Sequence, residues 1–244
     1  GLVLGDYTSS LIDLSGTHVV EASSAITIPN LGTVDASSAL FARSSGSDPL
    51  IQVSSGSSAA VNIRNSEFHD GGSGCIFAYP SQSVLTLSGV ELDSCNGPGI
   101  WARQVDLQID GFKIGENISS GMELTGVTGS AKDIDANSFN GDGNVLWLES
   151  IDGEFSVEGF SATTSGTAAI AGTTNRELIL SNIEINGAPA IDFDDTAGII
   201  SGLNLTGQGT GTGLTVHHGK TSSSLVIEDA NIANYAVAID LHAD

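Results

Sequence analysis

The sequence predicts an all-β fold, a right-handed parallel β-helix of about eight or more rungs. An apolar pattern recurs every 20 to 27 residues, and apolar and polar residues alternate inside each copy. Gly, Ser, Thr, Asn and Asp are abundant, whereas Lys and Arg, which helix surfaces need in quantity, are scarce. A repeat too short to bury its own apolar face must stack on its neighbours, and parallel crossovers favour a right-handed coil.

The repeat is clearest at 61–65, Val-Asn-Ile-Arg-Asn, which reads apolar, variable, apolar, variable, small or Asn. Copies begin at positions 61, 85, 107, 132, 155, 178, 198 and 225. The copy at Lys132 is the weakest, because a charged residue fills its first apolar slot. Alternation of this kind indicates a strand with one buried face. Six residues are therefore expected to point inward in one column: Ile63, Leu87, Ile109, Val157, Leu180 and Ile227.

A second apolar pair, such as Ile76 and Ala78 or Ile100 and Ala102, follows about fifteen residues into most copies. Each rung therefore holds at least two strands joined by turns. Leucine-rich repeats have an overlapping period, but they need a helical or 3₁₀ segment on the convex side. Gly-rich stretches such as 207–213 disfavour such a segment.

The chain is expected to form one structural domain. Residues 1–60 fit the repeat poorly and are interpreted as irregular N-terminal rungs or a cap, whereas residues 61–244 form regular rungs. The sequence opens on Gly1 and ends directly after the strand at 238–241, with no capping signal. Solenoid ends usually need a cap. We therefore expect either flanking domains of a longer chain or an end that pairs with a partner.

Charge narrows the range of partners. Seven basic residues against 29 acidic ones give a formal net charge of −22, which would repel nucleic acid and anionic membrane surfaces. No apolar stretch approaches the length of about 18 residues needed to cross a membrane, so membrane insertion is not expected. Cys75 and Cys95 permit one disulfide or two free thiols. They fall in consecutive rungs without stacking directly, so a bond requires the loop 93–98 to fold back.

From the rung pattern, residues 61–241 resemble the pectate-lyase-like superfamily of right-handed parallel β-helices. That superfamily includes pectate lyases, polygalacturonases, phage tailspikes and non-enzymatic surface proteins and adhesins, so the fold alone implies no single function. Asp194-Asp195 and, one rung later, His217-His218-Gly219 resemble two polygalacturonase motifs, but the Asn-Thr-Asp and Arg-Ile-Lys motifs are missing. The resemblance makes Asp192, Asp194, Asp195 and His217 the candidate catalytic residues; solvated surface acids are the alternative.

Aromatic residues define a candidate binding surface on the outward side of the second strands. The alternation places these residues outward: Phe77, Tyr79, Trp101, Arg103, Glu123, Trp147 and Glu149. Exposed aromatic rows beside charged groups are typical of sugar-binding platforms. Alternatively, the segment 110–121 or 130–143 folds over the rings and buries them.

A Gly/Asp-rich turn at 140–144 is the one candidate metal site. Asn140, Asp142 and Asn144 have the oxygen atoms that Ca²⁺ prefers, but the downstream Glu of an EF-hand is missing. An ordinary turn is the alternative, and no other cofactor is expected.

These observations favour a non-catalytic extracellular or cell-surface module for adhesion or glycan contact, with a polysaccharide or cell-surface glycan as its partner. A glycan-active hydrolase or lyase and a structural spacer are the alternatives.

Overall fold

The computed structural model describes residues 11–20, 26–28, 32–42, 48–54, 56, 58–151, 155–164, 167–218 and 224–243. These residues form a right-handed parallel β-solenoid of about nine turns, which confirms the predicted fold class. The described residues contain no helix, and hence no helix long and apolar enough to cross a membrane. Of the predicted irregular N-terminal region, residues 1–10, 21–25, 29–31, 43–47, 55 and 57 lie outside the described residues.

In the part of the chain that the structure describes, twenty-three strands form two sheets. The larger sheet contains β1 (Leu11–Asp13), β2 (His18–Val20), β4 (Thr33–Ser37), β5 (Leu40–Ala42), β7 (Ala60–Arg64), β8 (Glu67–His69), β10 (Val84–Asp93), β12 (Asp106–Ile114), β14 (Thr128–Ala136), β16 (Phe155–Thr163), β18 (Leu178–Asn186), β20 (Gly198–Thr206) and β22 (Leu225–Ala233). The smaller sheet contains β3 (Ile26–Ile28), β6 (Ile51–Val53), β9 (Ile76–Ala78), β11 (Pro98–Arg103), β13 (Ser120–Thr125), β15 (Leu146–Glu149), β17 (Ile170–Thr173), β19 (Ile191–Asp194), β21 (Thr212–His218) and β23 (Val237–Ala243).

A left-handed residue bends the larger sheet once in each rung. The residues with φ between 47° and 69° at this corner are Gly16, Ser38, Asn65, Gly89, Gly111, Asp133, Gly159, Asn182, Gly202 and Asp229. Gly, Asn and Asp adopt this conformation at the lowest cost. At Gly89 a Cβ would also lie 2.6 Å from the Asn65 side-chain oxygen, so the Asn65 side chain would have to move. The slot that the repeat marks as small or Asn is therefore a corner.

The predicted inward column is confirmed. The register pairs Ile63, Leu87, Ile109, Ala131, Val157, Leu180, Ile200 and Ile227 in turn. All are buried except Ile227, which belongs to the last of the stacked rungs and is partly exposed. Identical slots on successive rungs thus provide each side chain with apolar neighbours above and below.

The alignment of the copy at Lys132 was wrong by three residues. Gly129 and Ala131 occupy the two inward slots. Gly129 pairs with Leu107 and Ala131 with Ile109 of the preceding rung, and both also pair with inward residues of the next rung. Lys132 points outward, and its ammonium lies 3.4 Å from the Glu158 carboxylate. The two small residues weaken the apolar pattern of this copy, which explains the misassignment.

Cys75 and Cys95 form a disulfide with their Cα atoms 5.8 Å apart. Cys75 directly precedes β9 and Cys95 lies shortly before β11, so the bond joins neighbouring rungs. Both residues are fully buried. The sequence permitted either one disulfide or two free thiols, and the structure contains the disulfide.

Candidate functional site

The outward side of the smaller sheet, here called the groove face, has two rows of side chains. The register gives the first row as Thr27, Gln52, Phe77, Trp101, Glu123, Trp147, Ala171, Asp192, Thr215 and Asp240. The second row is Arg103, Thr125, Glu149, Thr173, Asp194, His217 and His242. Tyr79 directly follows β9 at the start of this second row. The predicted binding residues and three of the four catalytic candidates therefore share one face.

Trp101 belongs to an aromatic cluster. Its ring centroid lies 5.6 Å from that of Phe77 on the preceding rung, with the planes tilted by 45° rather than stacked. Tyr79 meets Trp101 edge-on at 5.1 Å, and the Arg103 guanidinium lies 5.6 Å from the centroid of the indole. These three neighbours leave Trp101 less free for a ligand than its place in the row suggests.

Trp147, by contrast, stands between two depressions of the groove face. The larger is an open groove of about 500 Å³, and its lining residues are Trp147, Ala171, Gly172, Thr173, Asp192, Asp194 and His217. The smaller has about 250 Å³, and its lining residues are Ser120, Glu123, Gly143, Asn144 and Trp147. Ala171 is the next residue after Trp147 in the first row, and its single methyl group leaves one side of the indole uncovered.

A buried amide fixes the corner below the groove. The Asn175 side chain donates to the Leu148 carbonyl at 3.0 Å and to the Thr196 hydroxyl at 3.3 Å, and it accepts from the Ile151 amide at 3.1 Å. Gly172 leaves room for this amide, because a Cβ there would lie 2.7 Å from the Asn175 side-chain nitrogen. A fully satisfied buried amide gives the groove floor a unique conformation.

Carboxylates dominate the electrostatics of the groove. Glu123 accepts a hydrogen bond from the Ser120 hydroxyl at 2.5 Å, and Glu149 accepts one from Thr125 at 3.4 Å. Asp192 is exposed, with one oxygen 3.8 Å from His217 Nε2. Among the described residues that line the two depressions there is no Lys or Arg.

Two imidazoles mark the end of the groove face in the last rungs. The His217 ring stacks on that of His242 with centroids 4.6 Å apart and an interplanar angle of 11°. His242 Nε2 lies 3.0 Å from an Asp240 carboxylate oxygen. Each histidine thus has a carboxylate neighbour on the groove face.

The structure brings together three of the four catalytic candidates. Asp192 and Asp194 are two residues apart on β19 and both point outward, so their Cα atoms lie about 7 Å apart. His217 lies beside Asp194 on the next rung. Asp195 instead occupies a corner with φ of 44°, and its amide donates to the His217 carbonyl at 2.8 Å. It is not among the residues that line the groove.

The candidate calcium turn at 140–144 lies at the corner between rungs. Asn140 accepts a hydrogen bond from the Asn117 amide, and Asn144 donates to the Ala168 carbonyl, each at 2.7 Å. Asp142 is exposed. Within the described ranges, no group of three or more His, Cys, Asp or Glu side chains is arranged to hold a metal ion. Both asparagines therefore have a structural role in linking rungs.

The segments 110–121 and 130–143 do not fold across the aromatic row. Their first parts belong to β12 and β14 of the larger sheet, and the remainder forms corners and the start of β13. Trp101 and Trp147 are both partly exposed.

The different surroundings of Trp101 and Trp147 predict a difference in fluorescence quenching. Acrylamide is expected to quench the fluorescence of a Trp101→Phe variant, which retains Trp147, more strongly than that of Trp147→Phe, which retains Trp101. The reason is that Trp101 is flanked by two rings and a guanidinium, whereas Trp147 borders open depressions. Stern–Volmer constants measure the difference, with the unfolded variants as the reference for full access. If Trp147 were shielded from acrylamide as strongly as Trp101, the result would contradict an open groove beside Trp147.

Comparisons with protein-family models, curated proteins and solved structures found no match to this chain.

Proposed function

We propose that this chain is a non-catalytic extracellular or cell-surface β-helix module that binds glycan chains along its groove face. As part of this proposal, the chain is a distant member of the pectate-lyase-like superfamily. One observation carries the proposal: Trp147 projects from a regular ladder with an open depression on each side. An indole with both flanks accessible is suited to pack against the apolar face of a sugar ring.

The shape of the site favours a chain over a compact ligand. Glu123 and His217 lie on rungs four steps apart, so the two depressions together extend about 19 Å along the solenoid axis. Both depressions are open rather than enclosed, unlike the pockets that bury most of a small cofactor. Hydroxyl and carboxylate groups of Ser120, Glu123, Thr173 and Asp194 can hydrogen-bond to sugar hydroxyls.

Two properties of the chain support an extracellular location. Cys75 and Cys95 form a disulfide. Disulfides persist in oxidising compartments and are rare in cytosolic proteins. The formal net charge of −22 favours solubility and disfavours association with nucleic acid.

A glycan hydrolase is the second candidate, and the pair Asp192 and Asp194 favours it. Inverting glycosidases place their two carboxyl groups about 6.5–9.5 Å apart, a separation that two outward side chains with Cα atoms about 7 Å apart on one strand can reach. His217 Nε2 lies 3.8 Å from Asp192. However, the groove is open and Asp192 is about half exposed, whereas a general acid usually has its pKa raised in a desolvated site.

A glycan array with the purified chain, followed by product analysis of every hit, tests the proposal. Binding without new reducing ends or unsaturated products would support a non-catalytic module. Turnover that disappears in the Asp192→Asn/Asp194→Asn variant would establish the hydrolase instead. An absence of binding to every class of glycan would overturn the proposal and favour a structural spacer.

A further inference from the structure

We infer that the groove around Trp147 selects glycans with positive charge, namely chains of amino sugars with free amines, and rejects polyuronates. This inference rests on the proposed glycan-binding function and specifies the class of sugar.

The first step concerns the charges nearest to Trp147. Glu123 is its neighbour on the preceding rung, and Glu149 lies on the same strand two residues away. Asp192 and Asp194 line the opposite wall of the larger depression. Two carboxylates thus lie next to the indole and two more lie across the larger depression from it, and none of the described lining residues is Lys or Arg.

The second step concerns the cations of the groove face. Arg103 lies two rungs before Glu149, on the side of Trp147 away from the larger depression, and its guanidinium packs beside Trp101. It is four rungs, about 19 Å, from Asp194, which is more than two Debye lengths at physiological salt, so its charge is largely screened at the far wall of the larger depression. His217 and His242 are the other basic groups in the two described rows, and an imidazole carries a charge only when protonated.

The third step concerns the ligand. A uronic acid chain would present one carboxylate per ring to these four acids, on a protein that already has a net charge of −22. Like charges opposed across a binding site reduce both affinity and association rate. A protonated amine is attracted by the same carboxylates and by the face of the indole, through a cation–π contact.

A cationic peptide would share this charge preference, but the backbone disfavours it. Strand β15, which contains Trp147, is paired with β13 on one side and β17 on the other. No free strand edge is therefore present beside Trp147 to accept an extended peptide by strand addition. Two depressions flanking one indole suit consecutive sugar rings instead.

The test compares oligomers of equal length: glucosamine, its N-acetylated counterpart and galacturonic acid. Binding is measured by calorimetry at low and at high salt, at a pH where the sugar amines are protonated. We expect the glucosamine oligomer to bind about tenfold more tightly than the acetylated one at low salt, and the galacturonate oligomer not to bind. The preference should shrink at high salt because exposed charges are screened.

Two variants locate the effect. Asp192→Asn/Asp194→Asn should reduce the preference for glucosamine about fivefold, consistent with a modest contribution from each exposed charge. Glu184→Gln/Glu228→Gln removes the same charge from exposed positions of the larger sheet and should leave the preference unchanged.

The outcomes separate the inference from the proposed function. Equal binding of the glucosamine and acetylated oligomers, or a preference that persists at high salt, would overturn the charge selectivity but leave glycan binding intact. Tighter binding of a lysine oligomer than of any sugar would overturn the inference in favour of a cationic peptide. If none of the sugars bound and the glycan array also gave no hit, the proposed function itself would fail.

Discussion

Replacing Leu180 with Asp is expected to unfold several rungs of the solenoid. Leu180 has no solvent exposure, and the register places it between Val157 and Ile200 in the inward column. An aspartate there would leave a carboxylate in an apolar core without a partner, at a cost of several kcal/mol. That cost is a large fraction of the roughly 5–15 kcal/mol by which domains are usually stable. Thermal melting followed by circular dichroism measures the loss.

Ser181→Asp is the matched control for this substitution. Ser181 is the next residue of β18, points outward and is partly exposed, so the same charge there remains solvated. We expect its melting temperature to stay close to that of the wild type, because surface substitutions usually change stability by less than about 0.5 kcal/mol. Wild-type melting of Leu180→Asp itself would contradict the inward column.

The fold was predictable because each rung repeats the same physical requirements. Ile63 and Leu87 alternate with polar residues, and the slot after them holds Asn65 or Gly89, which tolerate the left-handed corner. A residue pattern shared by many copies survives a poor copy. The error at Lys132 shows the limit: where Gly129 and Ala131 replace large apolar residues, pattern matching shifts to nearby side chains.

The candidate site was only half predictable. Alternation places Phe77, Trp101 and Trp147 on one face, and the structure confirms that arrangement. The groove itself depends on Ala171, whose small size leaves space beside Trp147. A small residue such as Ala171 cannot be recognised as part of a groove in a single sequence until the rungs are aligned.

The link between Trp147 and Asp192 was missed for a related reason. The two residues are 45 positions apart in the chain, and only the pairing of β15 with β17 and of β17 with β19 brings them to opposite sides of one depression. The sequence offered them as separate sites, an aromatic platform and an acidic motif. Their proximity changes the interpretation of both, because in the proposed function the indole is the stacking surface and the acids select the sugars by charge.

Replacing Trp147 with Ala is expected to weaken glycan binding about thirtyfold and to leave the fold unchanged. Tryptophan side chains at the centre of a binding surface commonly contribute about 2 kcal/mol or more, which corresponds to that loss. The side chain points outward from β15 between inward Leu146 and Leu148, so its removal leaves the core intact. Binding is measured by calorimetry with the glycan that the array identifies, and folding by circular dichroism.

Two further variants test whether binding requires an aromatic ring at position 147 and whether Trp101 also contributes to it. Trp147→Phe retains an aromatic surface and should lose only part of the affinity, whereas a purely structural role would make it as harmful as the alanine variant. Trp101→Ala removes an indole of the same row that is already engaged by Phe77, Tyr79 and Arg103, and we expect a smaller loss. Wild-type affinity in Trp147→Ala would show that the ligand binds elsewhere. An equal loss in Trp101→Ala would instead extend the binding surface across all the rungs from Trp101 to Trp147, because rings about 10 Å apart on one ladder would then both contact the same chain.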